Sequence, residues 1–261
     1  MSEFVQALSL QSRVIHALIL RETRTRFGRS RLGYFWAFFE PMAYLASLIT
    51  IFSILGRTSP IGVDIKLFFL TGIIPWILFS KTVGSISNAA ESNQNLLGYP
   101  QVKTLDIVLA KILLEFSTVF LVFLLYIFAF IFLFDMSVKI DSPVLVISIL
   151  LLVSLLGGSL GLIGMVVKLY FSAYNNIQSI FLRFLFFTSG VFFTADSLPL
   201  QLQQWVFYNP IAHISEWIRD VFFKEFDSNF FSIKYPVLFA LVTFLLSLIM
   251  ERLTRYKLRE F

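Results

Sequence analysis

The chain has 261 residues, 57% of them hydrophobic and only 14% charged, whereas a soluble domain carries about a quarter charged residues and a smaller apolar share. That balance excludes a soluble globular protein and points to an integral membrane protein. The formal net charge of +5 does not form a nucleic-acid patch, because the basic residues cluster at the two ends and beside apolar segments, as topology determinants do. Cysteine is absent, which removes disulfides and thiolate metal sites. Phenylalanine supplies 32 residues, tyrosine 9 and tryptophan 4. Interfacial belts need fewer, so part of this aromatic load is expected to line an internal surface.

The N-terminal segment contains Arg13, Arg21, Arg24, Arg26, Arg29 and Arg31 and no short apolar core with a small-residue cleavage site, so it is expected to be retained. From Phe4 to Leu20, apolar residues at helical spacing alternate with Gln6, Gln11, Ser12 and Arg13. The pattern predicts an amphipathic helix in the interface plane, although a helix packed on a partner fits it too. The arginines from Arg21 to Arg31 then form a basic collar ahead of the first span, Tyr34 to Leu55. That stretch is long enough for about 30 Å of hydrocarbon. A turn from Gly56 to Lys66 leads to span two, Leu67 to Gly84, where Gly72 and Pro75 predict a kink.

Ser85 to Asp106 is the most polar internal stretch and predicts an exposed connection with a short helix before Gly98. Span three, Ile107 to Phe134, opens with Lys111 and Glu115 one helical turn apart, where they can satisfy each other. Span four, Val144 to Val167, carries Gly157, Gly161 and Gly164 on a face that permits close helix approach, within the chain or between copies. Span five is expected from Ile177 to Thr194 and span six from Val237 to Met250. Between them, Ala195 to Pro236 holds two amphipathic segments divided at Asn209-Pro210, with charges opposite Ile211, Ile214 and Ile218. Both are too short to span and should be re-entrant or interfacial on the outer side.

The expected fold is therefore an all-α membrane protein with six transmembrane helices, an N-terminal interfacial helix and two short helices between spans five and six. It forms a single domain over residues 1–261: the interfacial helix and collar (1–33), spans one to five (34–194), the outer helices (195–236), and span six with a basic tail (237–261). The N-terminal arginines, Lys103, Lys168, Arg252, Arg255, Lys257 and Arg259 fall on one side. By the positive-inside rule both termini are expected to be cytoplasmic.

Catalytic chemistry finds little support. His16 and His213 are the only histidines, they fall on opposite membrane faces in this topology, and no carboxylate cluster accompanies them. No G-x-x-x-x-G-K-[ST] loop occurs, so ATP energy would have to come from a partner. Six helices pack into a solid bundle, and a transport role favours a homodimer with the route between copies. Tyr34, Trp36, Tyr44, Trp76 and Tyr126 are candidates for a lining on which sugar rings stack; belt or lipid-facing packing accounts for any one of them equally well. Arg183, inside span five, either meets an anionic substrate, or snorkels to the cytoplasmic interface or pairs with Glu115.

The run R-E-T-R-T-R-F-G-R-S-R-L-G-Y-F-W-A-F-F-E-P, Arg21 to Pro41, closely resembles the N-terminal signature of the permease subunit of type 2 ATP-binding-cassette exporters for capsular polysaccharide. The resemblance continues in F-F-L-T-G-I-I-P-W-I-L-F-S (Phe68 to Ser80), N-Q-N-L-L-G-Y-P-Q-V-K-T-L-D (Asn93 to Asp106) and Y-N-P-I-A-H-I-S-E-W-I-R-D (Tyr208 to Asp220). It implies a homodimer in the bacterial inner membrane that engages two copies of a separate ATPase, which would carry the ATP and magnesium. The cargo implied is a lipid-linked capsular polysaccharide, handed to periplasmic export proteins. By the same resemblance, Asn93, Gln94, Asn95, Leu97, Gly98, Tyr99 and Pro100 form the ATPase-coupling element. Arg24, Arg26, Arg29 and Arg31 flank the substrate entrance, and Trp205, Tyr208, Asn209, Pro210 and Trp217 belong to an outer gate. The chain departs from its relatives between spans four and five, where Lys168 to Asn176 lacks their usual acidic residue, so an ATPase contact there is expected to differ. The rival readings are an O-antigen or teichoic-acid exporter permease, a membrane-embedded transferase, and a passive channel.

Overall fold

Backbone amides that cross hydrocarbon must be bonded within their own segment, and this chain meets that demand with helices alone. A computed structural model describes residues 3–27, 33–99, 101–138, 140–223, 226, 228 and 231–260, and these include no strand. In chain order the helices are α1 (Glu3–Phe27), α2 (Gly33–Ile54), α3 (Ile65–Ser87), α4 (Ala89–Ser92), α5 (Gln94–Leu97), α6 (Thr104–Phe134), α7 (Pro143–Lys168), α8 (Tyr174–Phe187), α9 (Leu200–Phe207), α10 (Pro210–Phe222) and α11 (Lys234–Glu260).

Among the described residues, α3, α6, α7 and α11 are long and apolar enough to cross a membrane. α2 runs for 22 residues over Gly33–Ile54, matching the expected first span, whereas α8 has 14 residues, a rise of about 21 Å. The expected fifth span ran on to Thr194, but the chain turns at Gly190, whose φ of +75° lies in the left-handed region that glycine enters cheaply. α11, by contrast, extends well past the Val237–Met250 segment. α3 continues through Pro75 as one helix, and α1 continues to Phe27, past Arg21 and Arg24.

α3 is the central helix: 78% of its most apolar window is buried, against 28% for α6 and α11. The glycine face of α7 is what lets α3 sit so close. A Cβ on Gly161 would meet the Ile86 Cβ at 2.8 Å and the Val83 carbonyl oxygen at 3.0 Å, and one on Gly157 would meet the Phe79 carbonyl oxygen at 3.1 Å. The small-residue face is therefore used inside the chain.

Two apolar cores result. The larger joins Phe68–Phe79 of α3 to the middle of α6, α7 and α10. The smaller gathers Leu18 of α1, Ile86, Ala89, Leu97, Ile107, Met165 and Leu258, so both terminal helices converge on the end of the bundle that carries α4 and α5. Charge placement on α10 departs from expectation. Glu216 and Arg219 are 1% and 0% exposed, and the polar face expected toward solvent is folded inward.

Gly161→Val forces backbone of α3 and α7 apart and should cost about 1–3 kcal/mol, the usual penalty of overpacking. Gly84→Ala, where an added Cβ meets nothing within 4 Å, should be neutral or gain up to about 1 kcal/mol from helix propensity. Thermal unfolding of the two purified variants in detergent checks the contrast.

Candidate functional site

α2 presents Trp36, Phe39, Glu40, Ala43, Tyr44 and Ser47 along one face, because steps of three and four residues return to the same side of a helix. Opposite them, α3 supplies Trp76, Ile77, Ser80 and Lys81. Between the two lies a groove of about 850 Å³. Its walls are largely aromatic. Trp36 and Phe39 meet edge to face at 5.3 Å, and Trp76 is backed by Phe186 of α8 at 5.2 Å between ring centroids. Phe186 also lies 6.2 Å from Tyr44. Charged groups sit at one end, where Lys81 Nζ lies 3.2 Å from Glu40 Oε2. Exposed ring faces with a few polar atoms suit an amphipathic ring such as a sugar.

The expected lining residues divide. Trp36, Tyr44 and Trp76 line the groove. Tyr126 does not: it is buried, and its hydroxyl donates to the Met42 carbonyl oxygen, tying α6 to α2. Arg183 stands on the exposed face of α8 and is not part of the groove wall. Tyr34 is described only as helical backbone.

The expected coupling element also divides. Asn93 is buried, donates from Nδ2 to the Ala89 carbonyl oxygen at 3.0 Å and accepts from Arg21 Nη1 at 2.8 Å. Leu97 belongs to the smaller core. Gln94, Asn95, Gly98 and Tyr99 are exposed, Tyr99 by 58%. Pro100 lies outside the described residues. In the collar, Arg24 is exposed and Arg26 is described as helical backbone, while Arg29 and Arg31 lie outside the described residues. Lys111 takes its ion pair from α1, Nζ to Glu22 Oε1 at 2.5 Å, where pairing along its own helix with Glu115 was expected.

At the opposite end, Trp205 and Tyr208 are 73% and 72% exposed and Trp217 is half-buried. Asn209 and Pro210 are structural. The Asn209 side chain caps α10 by accepting from the Ile211 amide at 2.9 Å and donates to the Leu185 carbonyl and the Thr188 hydroxyl. Pro210 takes the first helical position, where no amide hydrogen is needed.

Sequence reasoning weighed His213 as a catalytic or metal-binding group and found no support, and it read Glu216 and Arg219 as part of a charged face. Arg219 donates to the Gly190 carbonyl at 2.6 Å and the Phe193 carbonyl at 3.0 Å, approaches Glu216 Oε1 at 3.4 Å and lies 4.0 Å over the Phe68 ring. Glu216 Oε1 also accepts from the Ala195 amide. His213 accepts at Nδ1 from the Ser232 amide and bonds at Nε2 with the Phe207 carbonyl, the pattern of a neutral imidazole with its proton on Nε2. The repeat at 213, 216 and 219 keeps three polar groups on one side of a helix, a signal present in the sequence that only a buried setting makes meaningful.

An all-helical bundle in which α3, α6, α7 and α11 are long and apolar enough to cross a membrane has the build of an integral membrane protein. The profile of the family described as ABC-2 type transporter matches residues 13–223, and the chain belongs to that family. It is 35% identical over 247 residues to the polysialic acid transport protein KpsM of Escherichia coli, covering 93% of this chain and 94% of the relative. It is 28% identical to the capsule polysaccharide export inner-membrane protein CtrC of Neisseria meningitidis, over 95% of this chain and 93% of the relative. The corresponding protein BexB of Haemophilus influenzae is 29% identical, with 95% and 94% covered.

Replacing Arg219 by Met leaves the Glu216 carboxylate and two turn carbonyls without their donor, and should cost about 3–5 kcal/mol, as breaking a buried ion pair does. The double variant Glu216→Met/Arg219→Met should lose less than the sum of the two single variants. A double-mutant cycle on thermal unfolding in detergent measures the coupling.

Proposed function

We propose that this chain is the transmembrane subunit of an ATP-driven exporter that moves lipid-linked capsular polysaccharide outward across the bacterial inner membrane. Similarity to capsule-export permeases over more than nine-tenths of the chain is the observation that carries this reading. The O-antigen alternative has less support: the O-antigen export permease RfbA of Myxococcus xanthus matches over 37% of this chain. A transferase would need a reacting cluster, and the groove wall offers one carboxylate, Glu40, already beside Lys81.

In this reading two copies assemble around the route and each engages a separate ATPase, which holds ATP and magnesium. The four long helices cross the membrane, α2 and α8 complete six crossings, and both termini are cytoplasmic. Gln94, Asn95, Gly98 and Tyr99 form the ATPase-facing surface, while Asn93 and Leu97 anchor it from behind. Arg24, with Arg26, Arg29 and Arg31, draws an anionic glycolipid to the entrance. The aromatic groove then holds successive sugars by ring faces, weakly enough to let them advance. Trp205 and Tyr208 face the outer side, where periplasmic export proteins would meet the cargo.

Tyr99→Glu places a charge on the proposed docking surface without touching either core. It should lower surface polymer about tenfold, equivalent to about 1.4 kcal/mol of lost docking free energy, with the amount of folded permease unchanged. Quantifying surface polymer against membrane-extracted permease in a strain that depends on this chain tests it; wild-type export would refute the coupling assignment.

A further inference from the structure

Below the groove a second cavity of about 530 Å³ opens between α1, α3, the α4–α5 segment and the start of α6. It shares Glu40 and Lys81 with the groove above, so the two spaces form a continuous surface. Its wall holds three cations, Arg21, Lys81 and Lys111, against two carboxylates, Glu22 and Glu40. One positive charge is thus left over. Lys111 is 5% exposed and held by Glu22. Among the described residues, the partner of the Arg21 guanidinium is the neutral Asn93 amide, which satisfies one donor and leaves the charge uncompensated.

The third pair is built differently. The Glu40 side chain is 71% exposed and lies 3.2 Å from Lys81. An exposed pair of this kind contributes little, so an incoming anion can replace Glu40 at Lys81 at small cost. A phosphate arriving there has Lys81 and the fork of Arg21 on the same cavity wall, the donor types that oxyanions favour. Phe35, Trp36 and Phe39, all exposed on α2 at the border of the groove, give apolar surface to whatever the phosphate is attached to.

We propose that this cavity binds the phosphate of an anionic lipid headgroup, with Lys81 and Arg21 as the ligating cations and Glu40 as the carboxylate it displaces. Its bond from Arg21 to Asn93 connects headgroup occupancy to the α4–α5 segment. That the headgroup belongs to the exported glycolipid rests on the export reading. Binding of the phosphate itself does not.

The absence of cysteine allows a direct test. Ser85 lines this cavity, while Ser172 lines a separate groove beside α4 and α7. Full-length Ser85→Cys and Ser172→Cys proteins would be placed in nanodiscs of phosphatidylcholine, or of equal parts phosphatidylcholine and phosphatidylglycerol, and labelled with an uncharged maleimide. Phosphatidylglycerol should slow labelling at position 85 about fivefold, the effect of about one cation–headgroup contact, and leave position 172 unchanged. Adding Arg21→Gln and Lys81→Gln should abolish the protection, with an unaltered rate at 172 reporting an intact fold. Adding Glu40→Gln, at an exposed side chain, should strengthen it.

Equal rates in the two lipids, equal slowing at both positions, or no gain from Glu40→Gln would overturn the site as described. Slowing by inorganic phosphate in phosphatidylcholine discs to the same extent would show a free-anion site and overturn the lipid assignment. No transport enters the measurement. Its failure therefore leaves the export reading standing, and normal export by Tyr99→Glu leaves this site standing.

Discussion

The fold hangs on Arg219. A guanidinium with no exposed surface is expensive to desolvate, and the cost is offset only when its donors and its charge are met together. Here Nη2 and Nη1 reach the carbonyls of Gly190 and Phe193 while Nε has no hydrogen-bond partner among the described residues, the charge lies beside Glu216, and the Phe68 ring covers the cation. The turn after α8 is thereby pinned against α3, which is possible because Gly72 has no side chain: a Cβ there would meet the Val191 Cα at 3.0 Å and Arg219 Nη2 at 3.1 Å. Asn209 fixes the end of α8 from the other direction. With α8 held at that end, Phe186 is set behind Trp76, which lies one helical turn along α3 from Gly72. The Arg219 staple thus sets the back wall of the groove.

At the opposite end, α1 is part of the packed structure. Leu18 enters the smaller core, and Gln11, Arg21 and Glu22 reach Asp106, Asn93 and Lys111. Through these contacts α1 packs on α6 and the α4–α5 segment of the same chain. A displacement of α4 and α5 therefore reaches Arg21 through the buried Asn93, and through α1 it reaches the charged cavity. Because the link is made of hydrogen bonds and ion pairs between rigid helices, it has the discrete character that coupled motions require.

Local signals in the sequence translated well. Long apolar runs became α3, α6, α7 and α11, the Asn209-Pro210 pair separated two short helices, and the glycines of α7 marked a close approach. Trp36, Tyr44 and Trp76 were legible as lining candidates because helical spacing and ring chemistry are local properties. What failed depends on distant partners. Arg219 and Glu216 read as a solvated face, since nothing within α10 reveals that carbonyls from residues 190 and 193 will meet them. The length of α8 was misjudged for the same reason, its end being set by that staple and by Gly190. Lys111 seemed paired along its helix, yet Glu22, 89 positions away in sequence, is the nearer anion. Tyr126 looked like a lining residue until α2 supplied an acceptor for its hydroxyl.

These contacts differ in strength in a way that divides the molecule. Removing one partner of a buried ion pair costs about 3–5 kcal/mol, far above thermal energy, so the Arg219 region and the α3–α7 glycine seam behave as scaffold. Along the groove, an aromatic contact is worth about 0.5–1.5 kcal/mol and an exposed pair such as Lys81–Glu40 about 0–1 kcal/mol. Interactions of that size exchange rapidly. In the proposed export role such stations suit a long polymer, because a site that bound one sugar tightly would stop the next from arriving. The same weakness is what the proposed headgroup site requires of Glu40: a carboxylate that compensates Lys81 and would yield to a stronger oxyanion. The rigid staple and the exchangeable groove wall meet on α3, where Gly72, Trp76 and Lys81 lie within three helical turns.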